Sequence, residues 1–331
     1  NTSKLYRMEQ FVDSFPDKEA HMTGEEIHKC LDQIEEIHAL YSPKTLGLAA
    51  AIACCGFTFL LGGGLPEMLF AFVAAGIGNA LRTKLIKHHF TLFLNVALSV
   101  SSACLIYALL LKMAELALHI SVLHEAGYIC SMLFIIPGFP FITSGIDLSK
   151  LDLRSGLERL TYSVIIVLVA TMFAWIMALI LKLQPVDFIA IHLSTTALLI
   201  LRLLTSFCGV FGFSIMFNSP VPMAATAAAI GALANTLRLE LVDLAGLPPA
   251  AAAFIGALTA GLLASAIKQY NGYPRISLPG LYLYRAIYNF GIMSLTEAVS
   301  WFAAAAMIII ALPLGLIFAR ILTDRTFRYC T

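Results

Sequence analysis

Two Pro-Gly pairs, Pro137-Gly138 and Pro279-Gly280, interrupt apolar runs that would otherwise form continuous membrane helices. Proline lacks a backbone donor and clashes with the preceding helical turn, so each pair predicts a break in a helix. Because lipid cannot hydrogen-bond the freed backbone groups, such a break persists only against protein or a wet cavity. Broken helices at corresponding places in two halves of a chain are typical of the binding sites of secondary transporters.

The helix that begins at such a break presents unsatisfied N–H groups and a partial positive charge, which suit a carboxylate. Asp147 follows the first pair and Arg285 follows the second. An arginine can hold a carboxylate through two hydrogen bonds. An aspartate can hold an ammonium group or exchange a proton, so Asp147 is also the candidate for proton coupling. The spacing predicts a site for a small solute that carries a carboxylate.

Each candidate also has a structural interpretation. Arg285 could extend to a membrane interface, and Asp147 could cap the cytoplasmic end of its helix. Asn79 and Asn235 occupy equivalent places in two apolar helices, where an amide bonds a neighbouring helix or touches the solute, and packing is the favoured interpretation. The candidate solute-binding residues are Pro137, Gly138, Phe139, Thr143, Asp147, Pro279, Gly280, Tyr284, Arg285, Asn289, Asn79 and Asn235.

The composition is that of an all-α polytopic membrane protein embedded in a lipid bilayer. Of 331 residues, 60% are hydrophobic and only 12% are charged, whereas soluble domains carry about 25% charged residues. A net charge of +1 and the lack of a basic stripe exclude nucleic acid as a partner. No metal-ligand spacing, cofactor motif or catalytic motif occurs, so we expect no metal site, no cofactor and no enzymatic activity.

Ten apolar stretches approach the roughly 20 residues that a membrane helix needs. The predicted spans are 45–64, 66–82, 91–112, 125–147, 157–181, 192–217, 220–238, 248–267, 276–292 and 296–320. Residues 113–124 predict an amphipathic connector, and a capping-box pattern at Thr23-Gly-Glu-Glu26 predicts an amphipathic helix ahead of the spans.

The spans form an internal repeat. Gly56-Phe-Thr58 aligns with Gly212-Phe-Ser214 at an offset of 156 residues, and the Pro-Gly pairs align at an offset of 142. Five spans per half is an odd number, so the halves insert in opposite orientations and predict an inverted repeat with broken helices at the Pro-Gly motifs. The predicted domains are a cytoplasmic segment 1–44 (the end of a larger N-terminal region), a five-helix repeat 45–183 and a second five-helix repeat 184–331.

The distribution of lysine and arginine predicts the orientation. With a cytoplasmic N-terminus, the inside loops hold eleven of these residues and the outside loops hold three. Arg82, Lys84 and Lys87 are counted among the eleven. Cytoplasmic loops carry the excess of positive charge, so both termini are predicted to be cytoplasmic.

Short motifs over nearly the whole chain resemble a known family. They are Pro137-Gly138, Asp147-Leu148, Asp152, Ser155-Gly156, Arg159, and the run Leu278-Pro-Gly-Leu-Tyr-Leu-Tyr-Arg285. They resemble the threonine/serine exporter family in a fused two-module form, and residues 5–41 resemble the end of its cytoplasmic segment. The resemblance implies amino-acid efflux coupled to protons, in a plasma membrane of the bacterial inner-membrane type. Related two-subunit systems are associated with dicarboxylate export.

The leading hypothesis is therefore secondary active export of L-threonine or L-serine, coupled to protons, by alternating access. A dicarboxylate exporter of succinate-like solutes is the alternative, and a passive channel is a further one. The expected partners are the small-molecule substrate, protons and the bilayer, and assembly into a homo-oligomer stays open.

Overall fold

A computed structural model describes residues 2–15, 22–118, 125–183, 193–271 and 295–324. These residues form twelve α-helices and include no strand, so the chain is an all-α polytopic membrane protein. In order, the helices are α1 (Thr2–Ser14), α2 (Gly24–Glu35), α3 (Pro43–Leu60), α4 (Leu65–Lys87), α5 (Leu92–Leu118), α6 (Glu125–Ser131), α7 (Gly138–Ser149), α8 (Leu153–Ile180), α9 (Thr195–Met216), α10 (Val221–Asp243), α11 (Pro249–Asn271) and α12 (Leu295–Thr323).

Seven helices are long and apolar enough to cross a bilayer, namely α3, α4, α5, α8, α9, α11 and α12. The bent pair of α6 and α7 makes an eighth span if it is counted as one. These helices coincide with predicted spans. The alanine-rich α10 lies at the predicted span 220–238 but is not among the seven. The predicted span 276–292 and residues 119–124 of the predicted connector lie outside the described residues.

Side-chain caps fix where the first helices begin. The capping box predicted for α2 is present: Thr23 Oγ1 accepts from the Glu26 N–H, and the Thr23 N–H donates to the Glu26 carboxylate at 2.8 Å. Hydrogen bonds from the Thr23 N–H and hydroxyl to this carboxylate hold the pKa of Glu26 below its ordinary value. The first membrane helix starts similarly, because Ser42 caps α3 and Pro43 occupies its first turn, where a missing N–H costs nothing.

The turns that follow α3 and α9 share one backbone geometry. The N–H groups of Gly63 and Ser219 each bond the carbonyl oxygen five residues earlier, at 2.9 and 3.1 Å. The preceding residues, Gly62 and Asn218, both adopt left-handed backbone, with φ of 86° and 64°. Each pair is separated by 156 residues. The sequence offset is therefore matched by the backbone in these turns.

Helices α3 and α9 cross so closely that a side chain would not fit between them. A Cβ at Gly56 would lie 2.6 Å from the Thr205 carbonyl oxygen, and a Cβ at Gly212 would collide with the Ala49 carbonyl oxygen. Gly56 corresponds to Gly212 and Ala49 corresponds to Thr205 at the offset of 156. Each helix thus presents the same positions to the other. As α3 numbers rise, α9 partner numbers fall, so the helices run antiparallel.

Helix α7 lies between the two halves of the chain. Leu148 packs against Gly156 of α8. Gly145 contacts Pro313 of α12, where a Cβ would lie 2.6 Å from the proline ring. A buried apolar cluster completes this seam; it comprises Ile142, Ala253, Ala257, Ile308, Leu312 and Leu316. A shift of α7 would therefore be felt by both halves.

Candidate functional site

The fourth span is broken at Pro137, as the sequence predicts. The segment Ala126–Ile135 and helix α7 meet at an angle of 62°. Pro137 has a ψ of 63°, which is not helical, and Gly138 is the first residue of α7. The Gly138 N–H donates instead to the Ile136 carbonyl at 2.9 Å. Proline thus occupies the position before the helix rather than its first position.

The first turn of α7 leaves a backbone donor available at the break. Pro140 has no N–H, and the Phe141 N–H donates to the Pro137 carbonyl at 3.3 Å. The N–H of Phe139 has no acceptor among the described residues. A donor at a helix start suits an anionic group. The break therefore has the backbone chemistry expected of a carboxylate site.

Phe139 and Thr143 follow the break on α7. The Phe139 ring lies against the Phe217 ring at the end of α9, with centroids 5.8 Å apart. The Thr143 hydroxyl is shared between the carbonyl oxygens of Phe139 and Pro140, each at 3.2 Å. Because its hydrogen is engaged there, Thr143 is left with lone pairs that can accept a hydrogen bond from a solute.

Asp147, near the end of α7, forms an ion pair with Arg159 of α8. The Arg159 Nη1 lies 2.7 Å from the Asp147 Oδ2, and the two side chains are 52% and 19% exposed, respectively. A carboxylate near a helix C-terminus faces partial negative charge, so the arginine offsets an unfavourable placement. The sequence analysis named both residues without pairing them. The ion pair joins α7 to α8.

The short turn between α7 and α8 positions this ion pair. The Asp152 N–H donates to the Asp147 carbonyl at 3.0 Å. Asp152 in turn caps α8, where its carboxylate accepts from the Ser155 N–H at 3.3 Å. Hydrogen bonds from Ser155 hold the pKa of Asp152 below its ordinary value. Asp147 thus forms the ion pair with Arg159, whereas Asp152 caps α8.

The two asparagines predicted as equivalents make equivalent contacts. The Asn79 amide of α4 donates to the Leu46 carbonyl of α3 at 2.9 Å, and the Asn235 amide of α10 donates to the Ser206 hydroxyl of α9 at 2.8 Å. In both halves the amide bonds the preceding helix. These contacts favour the packing interpretation, and a direct solute contact stays a prediction.

The second predicted break is not available for comparison. Pro279, Gly280, Tyr284, Arg285 and Asn289 lie outside the described residues. Their assignment to the site stays a prediction. Among the described residues, no group of three or more histidine, cysteine, aspartate or glutamate side chains could hold a metal ion.

Sequence reasoning missed Arg82. The predicted span 66–82 ends at this residue, whereas α4 continues to Lys87. The Arg82 Nη1 donates to the Phe134 carbonyl oxygen at 3.1 Å, in the short 3₁₀ segment before the break. One signal could have indicated it, because Leu81-Arg82 repeats as Leu237-Arg238 in the second half.

Arg202 of α9 pairs with two carboxylates of α10. Its Nη1 lies 2.7 Å from Glu240 Oε1, and its Nη2 contacts Asp243. The pairing ties α9 to α10. Arg202 is thus a structural cation rather than a candidate for solute binding.

Comparison with known families agrees with the motifs. The threonine/serine exporter family is matched twice, by a ThrE model over residues 1–182 and by a second ThrE model over residues 202–322. No curated protein and no solved structure matches the chain. The first match covers more than half of the chain, and the second covers most of the remainder. The chain belongs to the threonine/serine exporter family.

Proposed function

We propose that this protein exports L-threonine and L-serine by secondary active transport across a bacterial-type plasma membrane, with both termini in the cytoplasm. The observation that carries the proposal is the break in the fourth span, just before α7. Helix α7 contacts both halves, and both halves match the exporter family. A break between the halves would put the free backbone donor of α7 in the region that a relative motion of the halves would open to one side of the membrane and then to the other.

The motion we propose is alternating access between two inverted repeats. The antiparallel crossing of α3 and α9 supports it, because Gly56 and Gly212 make corresponding contacts across it. Helices packed through glycine lie backbone to backbone and can slide without repacking long side chains. The crossing would serve as the pivot, and α7, in contact with both α8 and α12, would change its neighbours as the halves rock.

Proton coupling is assigned to Asp147. In the ionised state its carboxylate holds Arg159 at 2.7 Å. Uptake of one proton by the carboxylate removes the negative charge, so the arginine is released and the ion pair no longer joins α7 to α8. Loss of that proton on the other side restores the pair. A single charge crossing 100 mV supplies about 2.3 kcal/mol, enough for more than a tenfold solute gradient.

The dicarboxylate alternative has one observation in its favour. Arg82 brings a cation to the first break, in addition to Arg285, the cation predicted for the second. Two cations in one pocket would suit a solute with two carboxylates better than an amino acid. Succinate therefore belongs in the same assay as threonine and serine.

Flux through purified protein in proteoliposomes tests the proposal. Vesicles are loaded with labelled L-threonine, L-serine or succinate, and a pH gradient is imposed in either direction. We expect saturable threonine and serine flux that the gradient accelerates in one direction only. Flux of succinate alone would select the alternative, and linear, pH-independent flux would indicate a channel. No flux above that of protein-free vesicles for any of the three would overturn the transporter assignment.

A further inference from the structure

Arg82 carries a positive charge inside a membrane helix, and no carboxylate among the described residues pairs with it. Its only hydrogen-bond acceptor among the described residues is the Phe134 carbonyl, so one of its five N–H donors is used. Two other arginines of the described membrane helices differ in this respect. Arg159 is paired with Asp147, and Arg202 is paired with two carboxylates of α10.

The side chain of Arg82 is directed at the break. Phe134 lies four residues before Gly138, and its ring packs on α4 at Gly78, where a Cβ would lie 2.8 Å from the ring. Gly78 stands about one helical turn before Arg82. The guanidinium therefore bonds the residue whose ring packs on α4 one turn earlier. The close approach at Gly78 brings α4 and the broken segment within its reach.

Two ordinary explanations for Arg82 fit less well, namely extension of its charge out of the lipid and a structural ion pair. An arginine that only escapes lipid would extend toward the nearby end of α4 at Lys87, but Arg82 bonds a carbonyl in the interior of the fourth span. A structural ion pair would place a carboxylate beside the guanidinium, but the described residues include no ion pair of Arg82. A charge within a span marks a functional site and calls for a partner of opposite charge.

We propose that the Arg82 guanidinium binds the carboxylate of the transported solute at the first break. This inference rests on the export function proposed above and names a residue that selects the substrate class. Arg82 of α4 donates to the broken segment, which also carries the N–H of Phe139, and the remaining donors of both residues would address an anion. Arg238, its equivalent in the second half, donates to Asn235 at 3.1 Å and stands next to that half's packing amide.

Chemical protection of the wild-type protein tests this without a mutation. Phenylglyoxal modifies accessible arginines, and mass spectrometry of the digested protein measures the rate at Arg82. We expect L-threonine to slow that rate, whereas L-threoninamide, which lacks the carboxylate, leaves it unchanged. Stronger protection by succinate than by threonine would assign the same residue to a dicarboxylate. Equal modification in all conditions, or no modification in any, would overturn the proposal, because a binding residue must be reachable and must be covered.

Variants of Arg82 separate binding of the solute from the hydrogen bond that Arg82 donates to the Phe134 carbonyl. Arg82→Lys keeps the charge and one donor to the carbonyl but cannot grip a carboxylate through two bonds. We expect its KM for threonine to rise about 10- to 100-fold, the range for a lost charge-assisted hydrogen bond. Arg154→Lys, at a cation paired with Glu158 on the exposed part of α8, is the matched control and should transport normally. An unchanged KM in correctly folded Arg82→Lys would contradict the proposal.

Failure of the export function is distinguishable from failure of this inference. If the wild-type protein transports none of the three solutes, the function fails, while the protection assay with a panel of carboxylates still decides on Arg82. If the wild-type protein transports threonine but Arg82 is neither protected nor sensitive to substitution, only the inference fails.

Discussion

Phe57 of α3 and Phe213 of α9 lie against each other, with ring centroids 5.5 Å apart and planes inclined by 45°. The two residues are separated by 156 positions, the offset of the internal repeat. Equivalent residues contact each other where a two-fold axis passes between them, as at the centre of a symmetric dimer. This pair, with the glycines beside it, is the point about which we expect the halves to move.

The glycine at this crossing should not tolerate a methyl group. Gly212→Ala places a Cβ against the Ala49 carbonyl, a backbone atom that cannot move aside cheaply. We expect a loss of about 1–3 kcal/mol in stability, as for other overpacked cores, and a larger fall in the maximal flux than in substrate affinity. Thermal unfolding in detergent and threonine flux measure the two effects. Gly24→Ala, where nothing lies within 4 Å, is the control. Equal behaviour of the two variants would contradict the pivot.

Asp147→Asn should uncouple transport from protons. The amide cannot ionise, so the pairing with Arg159 no longer depends on proton uptake. We expect threonine exchange at zero gradient to persist, while acceleration by an imposed pH gradient disappears. Glu158→Gln, one position before Arg159 on the exposed face, controls for the loss of a carboxylate nearby. Full gradient dependence in Asp147→Asn would remove the residue from the coupling mechanism.

Arg202 should matter for stability and little for substrate choice. Arg202→Leu leaves Glu240 and Asp243 facing each other without the cation between them. With side chains 13% and 18% exposed for Arg202 and Glu240, the cost should lie between the ~1 kcal/mol of exposed pairs and the ~3–5 kcal/mol of buried ones. Arg154→Leu, from a pair that is 90% and 67% exposed, should cost less than about 0.5 kcal/mol. The ranking fails if Arg154→Leu is the more destabilising change in a denaturation assay.

Tyr41 ties the segment before the first membrane helix to the second half. Its hydroxyl donates to the Ser219 carbonyl at 2.7 Å, and the neighbouring Leu40 N–H donates to Asn218 at 2.7 Å. Tyr41→Phe should lower the free energy of unfolding by about 0.5–1.5 kcal/mol. Burial raises the pKa of Tyr41. The bond therefore contributes fully below the unfolded pKa of about 10 and is lost as pH rises through the folded value. The unfolding curves of the wild-type protein and of Tyr41→Phe should differ at pH 7 and coincide only at alkaline pH. Curves that coincide at pH 7 would show that the Tyr41 hydroxyl does not stabilise the fold.

The parts of the fold that depend on local chemistry were accessible from the sequence. Pro137-Gly138 predicted the break because proline cannot continue a helix, and Thr23 with Glu26 predicted the start of α2 because their spacing satisfies two donors. The membrane helices follow from the length of apolar runs. The repeat offset of 156 residues, found from a few matching letters, recurs in the turns at Gly62 and Asn218.

The contacts between helices were beyond the sequence. Arg202 finds its carboxylates 38 and 41 residues further along, on a helix whose rotation about its axis no local pattern fixes. Arg82 bonds the Phe134 carbonyl 52 residues further along, on a segment whose placement against α4 no local pattern fixes. Asp147 and Arg159 face each other only because the turn at Asp152 folds α8 back on α7. In each case the missing information is the relative placement of two helices.

Accessibility of the broken helix from the two sides of the membrane tests the account most directly. Thr143→Cys, in a background without the seven native cysteines, is labelled with a membrane-impermeant maleimide added to the inside or the outside of oriented vesicles. Leu168→Cys, on the outer face of α8, should react from neither side. We predict that Cys at position 143 reacts from both sides, and that an imposed L-threonine gradient raises one rate while lowering the other. A residue that never reacts, or that reacts from both sides at rates that solute does not change, would contradict alternating access at this break.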